Sequence, residues 1–233
     1  MPDTKPRERS FIPYPHELTW LLKERSGIVV RPVEPQPDRV LAPVEIAELC
    51  AGVRVGEIRC PFGVCGDRLW IRETWTEKAW TDAECVRSGC PDAAQSSETY
   101  LDVPLRAIYR ASYVEPKDAP GLNGIGPWRP STNMPRWASR RTVEVVSVRV
   151  VRVQEISEDD IDAAVFHREH PHNVEGPHQS VCRFHDGTPD WCECGGYSLT
   201  ELYAMIWNSL YASKGIGWDE KPWAWMVGWR TVE

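Results

Sequence analysis

The sequence predicts an α+β protein, a bent β core with helices near both ends and Cys/His-rich insertions, on three observations. Residues 142–153 (TVEVVSVRVVRV) carry the strongest β signal of the chain, an apolar alternation that shifts phase at Val145-Val146 and again at Val150-Val151. Such shifts mark a long strand bent by bulges, the device that barrel closure requires. Residues 66–72 (GDRLWIR) put Leu69 and Ile71 on one face and Arg68, Trp70 and Arg72 on the other. That is the period-two pattern of a half-buried strand entered through a Gly-Asp turn. Residues 199–210 place Leu199, Leu202, Tyr203, Ile206, Trp207 and Leu210 on one helical face, behind a capping box of Ser198 and Glu201.

The other elements follow in order. Residues 1–15 are polar and read as a disordered segment, and 16–233 read as one domain around one core, a size that single β-rich domains reach. Leu18, Leu21 and Leu22 at helical spacing predict a short helix over 16–25, ended by Gly27. Ile28-Val29-Val30 begins an extended segment, and the proline-spaced stretch after it excludes a helix or a central strand. A short helix is expected over 44–50 and the GDRLWIR strand over 67–74. Residues 77–103 are polar and poorly periodic, an excursion from the core; 105–110 return as a strand. The Pro, Gly and Asn of 115–133 make a long connection. Ser157 and Asp160 open a short helix to about residue 165, residues 166–196 form a second insertion, and 222–231 form a final tryptophan-rich strand that would close the barrel.

Composition excludes some classes. No apolar run approaches the roughly 18 residues of a membrane span, and the polar start lacks the apolar core of a signal peptide, so a cytoplasmic protein is expected. A net charge of −7 excludes bulk electrostatic coating of nucleic acid. A local basic face is still open: Arg129, Arg136, Arg140, Arg141, Arg149 and Arg152 stand against the single acid Glu144, unless they are merely solvated strand faces. Eight cysteines in a reducing compartment point to metal rather than disulfides. Most of the twelve tryptophans should be core or cleft walls.

The block 60–75 (CPFGVCGDRLWIRETW), the loop 127–140 (PWRPSTNMPRWASR) and the closing 217–229 (GWDEKPWAWMVGW) occur in that order with plausible gaps. Together they resemble the ASCH domain proteins of bacteriophages and prophages, in the PUA-like superfamily of small β-barrels, over most of the chain from about residue 17. The resemblance implies a PUA-like mixed β-barrel with flanking helices. For the enzymes of that family it also implies hydrolysis of N4-acetylcytidine by a lysine and a threonine in a Gly-Arg-Lys-Thr-x-Thr-x-Arg stretch, with a glutamate just ahead of the last helix. Here the lysine position falls on Ser26 and the threonine on Val29; only the terminal arginine remains, as Arg31. The glutamate slot reads Cys194-Gly195-Gly196, with Glu193 out of phase. Neither valine nor glycine can act as acid, base or nucleophile, so no catalytic residue is assigned. Lys23 with Glu73 is a conceivable substitute pair, though a lone lysine near a helix end is more often a solvated charge.

What remains of a family-like cleft is Arg31, Trp70, Arg72, Glu73, Trp75, Arg136 and Trp137. Splayed bases are held by stacking on aromatic and guanidinium planes with hydrogen bonds to their edges. Trp70 and Trp75 could equally pack core, with Glu73 paired to an arginine. Two cysteine groups suit structural zinc. Cys182, His185, Cys192 and Cys194 supply three sulfurs and an imidazole in a loop too poor in apolar residues to order itself. Cys60 and Cys65 with Cys85 and Cys90 form the second group, and Cys50 reads as core. The expected function is therefore a non-catalytic ASCH-type module binding RNA, single-stranded nucleic acid or a modified nucleobase in the barrel cleft. The alternatives are a hydrolase with rearranged catalytic groups and a phage protein that binds a host defence protein.

Overall fold

The segment with the strongest alternation is the longest strand among the described residues of the structure, a computed structural model that describes residues 6–79, 81–87, 94–100, 102–113, 127–166 and 198–232. In chain order the first elements are β1 (Glu8–Phe11), α1 (Pro15–Lys23), β2 (Ser26–Pro32), α2 (Pro43–Cys50), β3 (Arg68–Ile71), β4 (Trp75–Ala79) and α3 (Asp82–Arg87). They are followed by β5 (Gln95–Tyr100), β6 (Val103–Tyr109), β7 (Thr142–Arg152), α4 (Glu158–Ile161), α5 (Leu199–Tyr211) and β8 (Trp223–Thr231). The fold is α+β, as expected.

The chain divides into two compact units, each built from discontinuous segments. The first comprises Met1–Arg25, Gly66–Val145 and Arg230–Glu233; the second comprises Ser26–Cys65 and Val146–Trp229.

In the first unit β1 runs parallel to β3, with Glu8 opposite Arg68 and Ser10 opposite Trp70. β3 runs antiparallel to the start of β7, with Arg68 opposite Glu144 and Trp70 opposite Thr142. A separate three-stranded sheet has the order β4-β6-β5, antiparallel throughout. Its core is Trp75, Ala107, Tyr109, Met134 and Ala138, with Cys85 and Ile108 in a second small cluster. The strand at Glu8–Phe11 corrects the expected disorder of 1–15 for those residues: four residues are too few to show a period, and their pairing depends on β3, sixty positions away. The polar excursion 77–103 is likewise corrected. It holds α3 and β5, and β5 is a mostly exposed edge strand whose polar side chains hide the alternation.

In the second unit the order is β7-β8-β2. Burial along β7 falls on Val143 and Val145 and then jumps phase to Val148 and Val150, as the sequence predicts. Every residue of β8 from Trp223 to Trp229 is buried, the continuous pattern of a strand covered on both faces. Gly228 packs closely there: a Cβ would stand 2.4 Å from Ser147 Oγ and 3.3 Å from Val146 Cγ2, so these side chains would have to shift. Gln36 clamps the proline-spaced stretch to this strand: its amide donates to the carbonyls of Val33 (2.7 Å) and Trp223 (2.9 Å) and accepts from the Trp223 N–H (2.8 Å). α5 begins as its capping box dictates. Ser198 Oγ accepts from the Glu201 N–H, Glu201 Oε2 accepts from the Ser198 N–H, and Leu202, Tyr203, Trp207 and Tyr211 are buried. Both sheets have a linear strand order, so the described strands do not close into the expected barrel.

Candidate nucleic-acid interface

The Gly-Asp turn sets the phase of β3. Gly66 takes φ +90, its N–H donates to Val145 O (2.8 Å), and the Val145 N–H returns to Asp67 O (2.9 Å). Only glycine adopts that φ without strain. Buried Asp67 also accepts the Arg7 N–H at 3.1 Å, which fixes the start of β1 beside β3. Leu69 and Ile71 are thereby buried, and Arg68, Trp70 and Arg72 stand half-exposed on the opposite face.

On that face two rows cross the sheet, Glu8-Arg68-Glu144 and Ser10-Trp70-Thr142. The Arg72 guanidinium lies 5.3 Å and the Arg136 guanidinium 5.9 Å from the centroid of the Trp70 ring. Arg72 Nε donates to Ser131 O (2.8 Å) and its Nη2 to Thr132 O, so the arginine also holds the loop that carries Arg136. Arg136 donates to Glu8 Oε2 and Thr142 Oγ1, both at 3.1 Å. The hydrogen bond from Arg136, aided by the positive charges of Arg136 and Arg68, holds the Glu8 carboxyl below its ordinary value. Glu144 on β7 is paired with Arg230 on the neighbouring β8 (3.1 Å).

The other side of the same segment is a buried polar centre. Arg140 grips Glu73 with two hydrogen bonds of 2.9 Å, and the two side chains are 6% and 1% exposed. Arg140 also donates to Ser112 Oγ (3.0 Å) and lies 4.1 Å over the Tyr109 ring. The Tyr109 hydroxyl donates to Ala138 O (2.8 Å) and accepts from the Ala94 N–H (3.1 Å). Trp75 packs edge to face with Trp137, ring centroids 5.7 Å apart, and its ring lies 5.1 Å from the Arg129 guanidinium. The buried Trp75 Nε1–H has no hydrogen-bond partner among the described residues.

The seven residues predicted for one cleft are thus divided. Trp70, Arg72 and Arg136 come together on an accessible face. Trp75 is core and Trp137 packs against it, while Glu73 is committed to Arg140. Arg31 belongs to the second unit, on β2, where its Nη1 donates to Val30 O (3.1 Å). Sequence reasoning missed Glu8, Thr142 and Arg140. Thr142 and Glu8 become neighbours of Trp70 only through strand pairing, and Arg140 was recognised as one of six arginines without its partner.

The six arginines divide between the two units, Arg129, Arg136, Arg140 and Arg141 in the first and Arg149 and Arg152 in the second. Arg129 pairs with Glu77, Arg136 with Glu8, Arg140 with Glu73 and Arg149 with Asp160. Arg141 donates to the carbonyls of Leu21 and Leu22, and Arg152 to Lys221 O while stacking 4.2 Å from the Trp223 ring. Each is used locally.

Cys90, Cys182, His185, Cys192 and Cys194 lie outside the described residues. Cys60 is buried, Cys85 is buried against Ile108, and Cys65 is exposed with its thiol directed at Val146 O (3.4 Å). Among the described residues no group of three or more His, Cys, Asp or Glu can hold a metal ion. Cys50, expected in the core, is only half-buried at the end of α2, and desolvation raises its thiol pKa. No helix among the described residues is long and apolar enough to cross a membrane. No family model matches the chain, and no curated protein or solved structure matches it either.

Proposed function

We propose that the chain is a non-catalytic ASCH-type module, of the kind carried by phages and prophages, that binds RNA or a modified nucleobase, with the PUA-like barrel opened into two sheets. The observation that carries this reading is the Trp70 face, an indole on a sheet with guanidiniums at 5.3 and 5.9 Å and a row of polar side chains beside it. Aromatic and guanidinium planes set side by side on a sheet are the chemistry that holds an unstacked base. Recognition then belongs to Trp70, Arg72 and Arg136 on the open face of β3 rather than to a closed cleft.

Hydrolysis has no comparable support. Val29, at the family's threonine position, is buried apolar core, and both oxygens of Glu73 are taken by Arg140. Lys23 is exposed at the end of α1.

Fluorescence anisotropy with a short labelled RNA at low salt tests the reading. The expected outcome is binding that weakens as salt rises and is lost in Trp70→Ala with Arg136→Ala. No affinity for any oligonucleotide or nucleoside overturns it, and acetate released from acetylcytidine would restore the hydrolase. For the cysteine-rich loop we propose one structural zinc on Cys182, His185, Cys192 and Cys194. Elemental analysis showing a folded, metal-free chain would remove it.

A further inference from the structure

The cations around Trp70 differ in what they hold. Arg68 and Arg72 flank it two residues away on the same strand face. Arg72 meets only the carbonyls of Ser131 and Thr132 and the Ser10 hydroxyl, so its charge is not neutralised by a carboxylate among the described residues. Arg68 likewise forms no ion pair with a described residue; it faces Glu8 and Glu144 only across the ladder. Arg136 alone has a carboxylate on it. That pair with Glu8 is exposed, 46% and 43%, with a single N–O contact at 3.1 Å. Exposed pairs of this geometry are held weakly and exchange readily for a stronger anion.

A neutral base stacked on Trp70 would offer Arg136 no anion in exchange for Glu8. A base that carries its phosphate would, since a phosphate accepts charge-assisted hydrogen bonds from a guanidinium fork. Glu8 stands where such an anion is drawn, between Arg136 and the register neighbour Arg68.

We propose that the unit recognised on this face is a nucleotide rather than a nucleoside, its base on Trp70 and its phosphate on Arg136, with Glu8 occupying Arg136 until the phosphate displaces it. The inference rests on reading the chain as a nucleic-acid-binding module and adds the ligand's charge state and the residue that regulates access. Glu8 is then a competing residue: it sets the threshold that a phosphate must exceed to reach Arg136.

The test uses the full chain, titrated at low salt with cytidine, cytidine 5′-monophosphate and a short single-stranded oligocytidylate. The wild type should bind the monophosphate and the oligonucleotide and bind cytidine more weakly. Glu8→Gln should tighten both phosphorylated probes by about threefold to tenfold, the size expected from removing an exposed competing carboxylate, and leave cytidine unchanged. Arg136→Ala should weaken the phosphorylated probes and abolish the gain from Glu8→Gln in the double variant. Cytidine binding as tightly as its monophosphate overturns the proposal, and this comparison needs no variant. Glu8→Gln binding no better than wild type also overturns it, while oligonucleotide binding itself leaves the module reading standing. Silence of all three probes with both proteins would remove the module reading and this inference together.

Discussion

Trp70 with Arg72 and Arg136, and Trp75 with Glu73 and Arg140, are built from the same residue types within one stretch of chain, yet they do opposite work. On the outer face the guanidiniums lie 5.3 and 5.9 Å from an accessible indole, and the carboxylate partner of Arg136 is nearly half exposed. In the inner centre Glu73 and Arg140 are almost fully dehydrated and every described oxygen or nitrogen contact points at another part of the same unit. An arginine in water exchanges partners at little cost; a buried one cannot. Sequence motif therefore does not separate a ligand-binding arginine from a structural one. Hydration does.

The largest expected effect breaks the inner centre. Arg140→Met leaves the Glu73 carboxylate buried without its partner and should destabilise the first unit by about 3–5 kcal/mol, read by urea unfolding. Glu73→Gln alone should cost on a similar scale, and the double variant less than the sum, with a double-mutant cycle giving their coupling. If Arg140→Met melts like wild type, the contrast between the two regions collapses.

Next comes Trp75→Phe, which removes the unpartnered indole N–H but keeps an aromatic ring in the core. Its effect combines lost volume with relief of an unsatisfied buried donor, so a net change within about 2 kcal/mol is expected, far below the about 3–5 kcal/mol expected for Trp75→Ala. Equal losses for both variants would mean that the indole N–H is held by a partner.

On the outer face the ordering reverses between stability and binding. Trp70→Ala should change stability little, because the ring is only half-buried, yet it should weaken oligonucleotide binding by about 1–3 kcal/mol, the range for one stacked base. Anisotropy and thermal melts on the same preparations separate the two readouts. A Trp70→Ala protein that unfolds but binds normally when folded would place Trp70 in the core class with Trp75.

The smallest effect concerns a surface pair in the second unit, Arg39 and Glu45. The hydrogen bond from Arg39, and then that from the Ala42 N–H, lower the Glu45 carboxyl to about 2. Its contribution to the start of α2 is therefore present above the unfolded value of 4.5 and is lost as the pH falls from there towards 2. An NMR titration of Glu45 checks the value. Glu45→Gln should lose a little stability at neutral pH and none at the acid end, and the difference should shrink as salt is added.

Much of the local structure was legible. The Ser198 and Glu201 capping box, the Ser157 cap of α4, the phase jump of β7 and the alternation of β3 all appear where the residue pattern puts them. Each rests on interactions within a few residues. β1 was not legible, because it has no period of its own and exists by pairing with β3; β5 was not, because its exposed polar side chains leave no apolar row. The candidate site was half legible. Arg68, Trp70 and Arg72 share a face by period two alone, but nothing in the residue order tells Arg136 apart from Arg140, four positions on in the same loop.

Turns, caps and periods are short-range, so the chain alone indicated β3, β7, α5 and β8 and which residues of β3 share a face. Which arginine meets which carboxylate depends on contacts between residues 67 and 128 positions apart, Glu73 with Arg140 and Glu8 with Arg136. Those contacts are set by strand register and by the water each pair loses on folding. It took the three-dimensional arrangement to make one arginine a strut and the other a binding group.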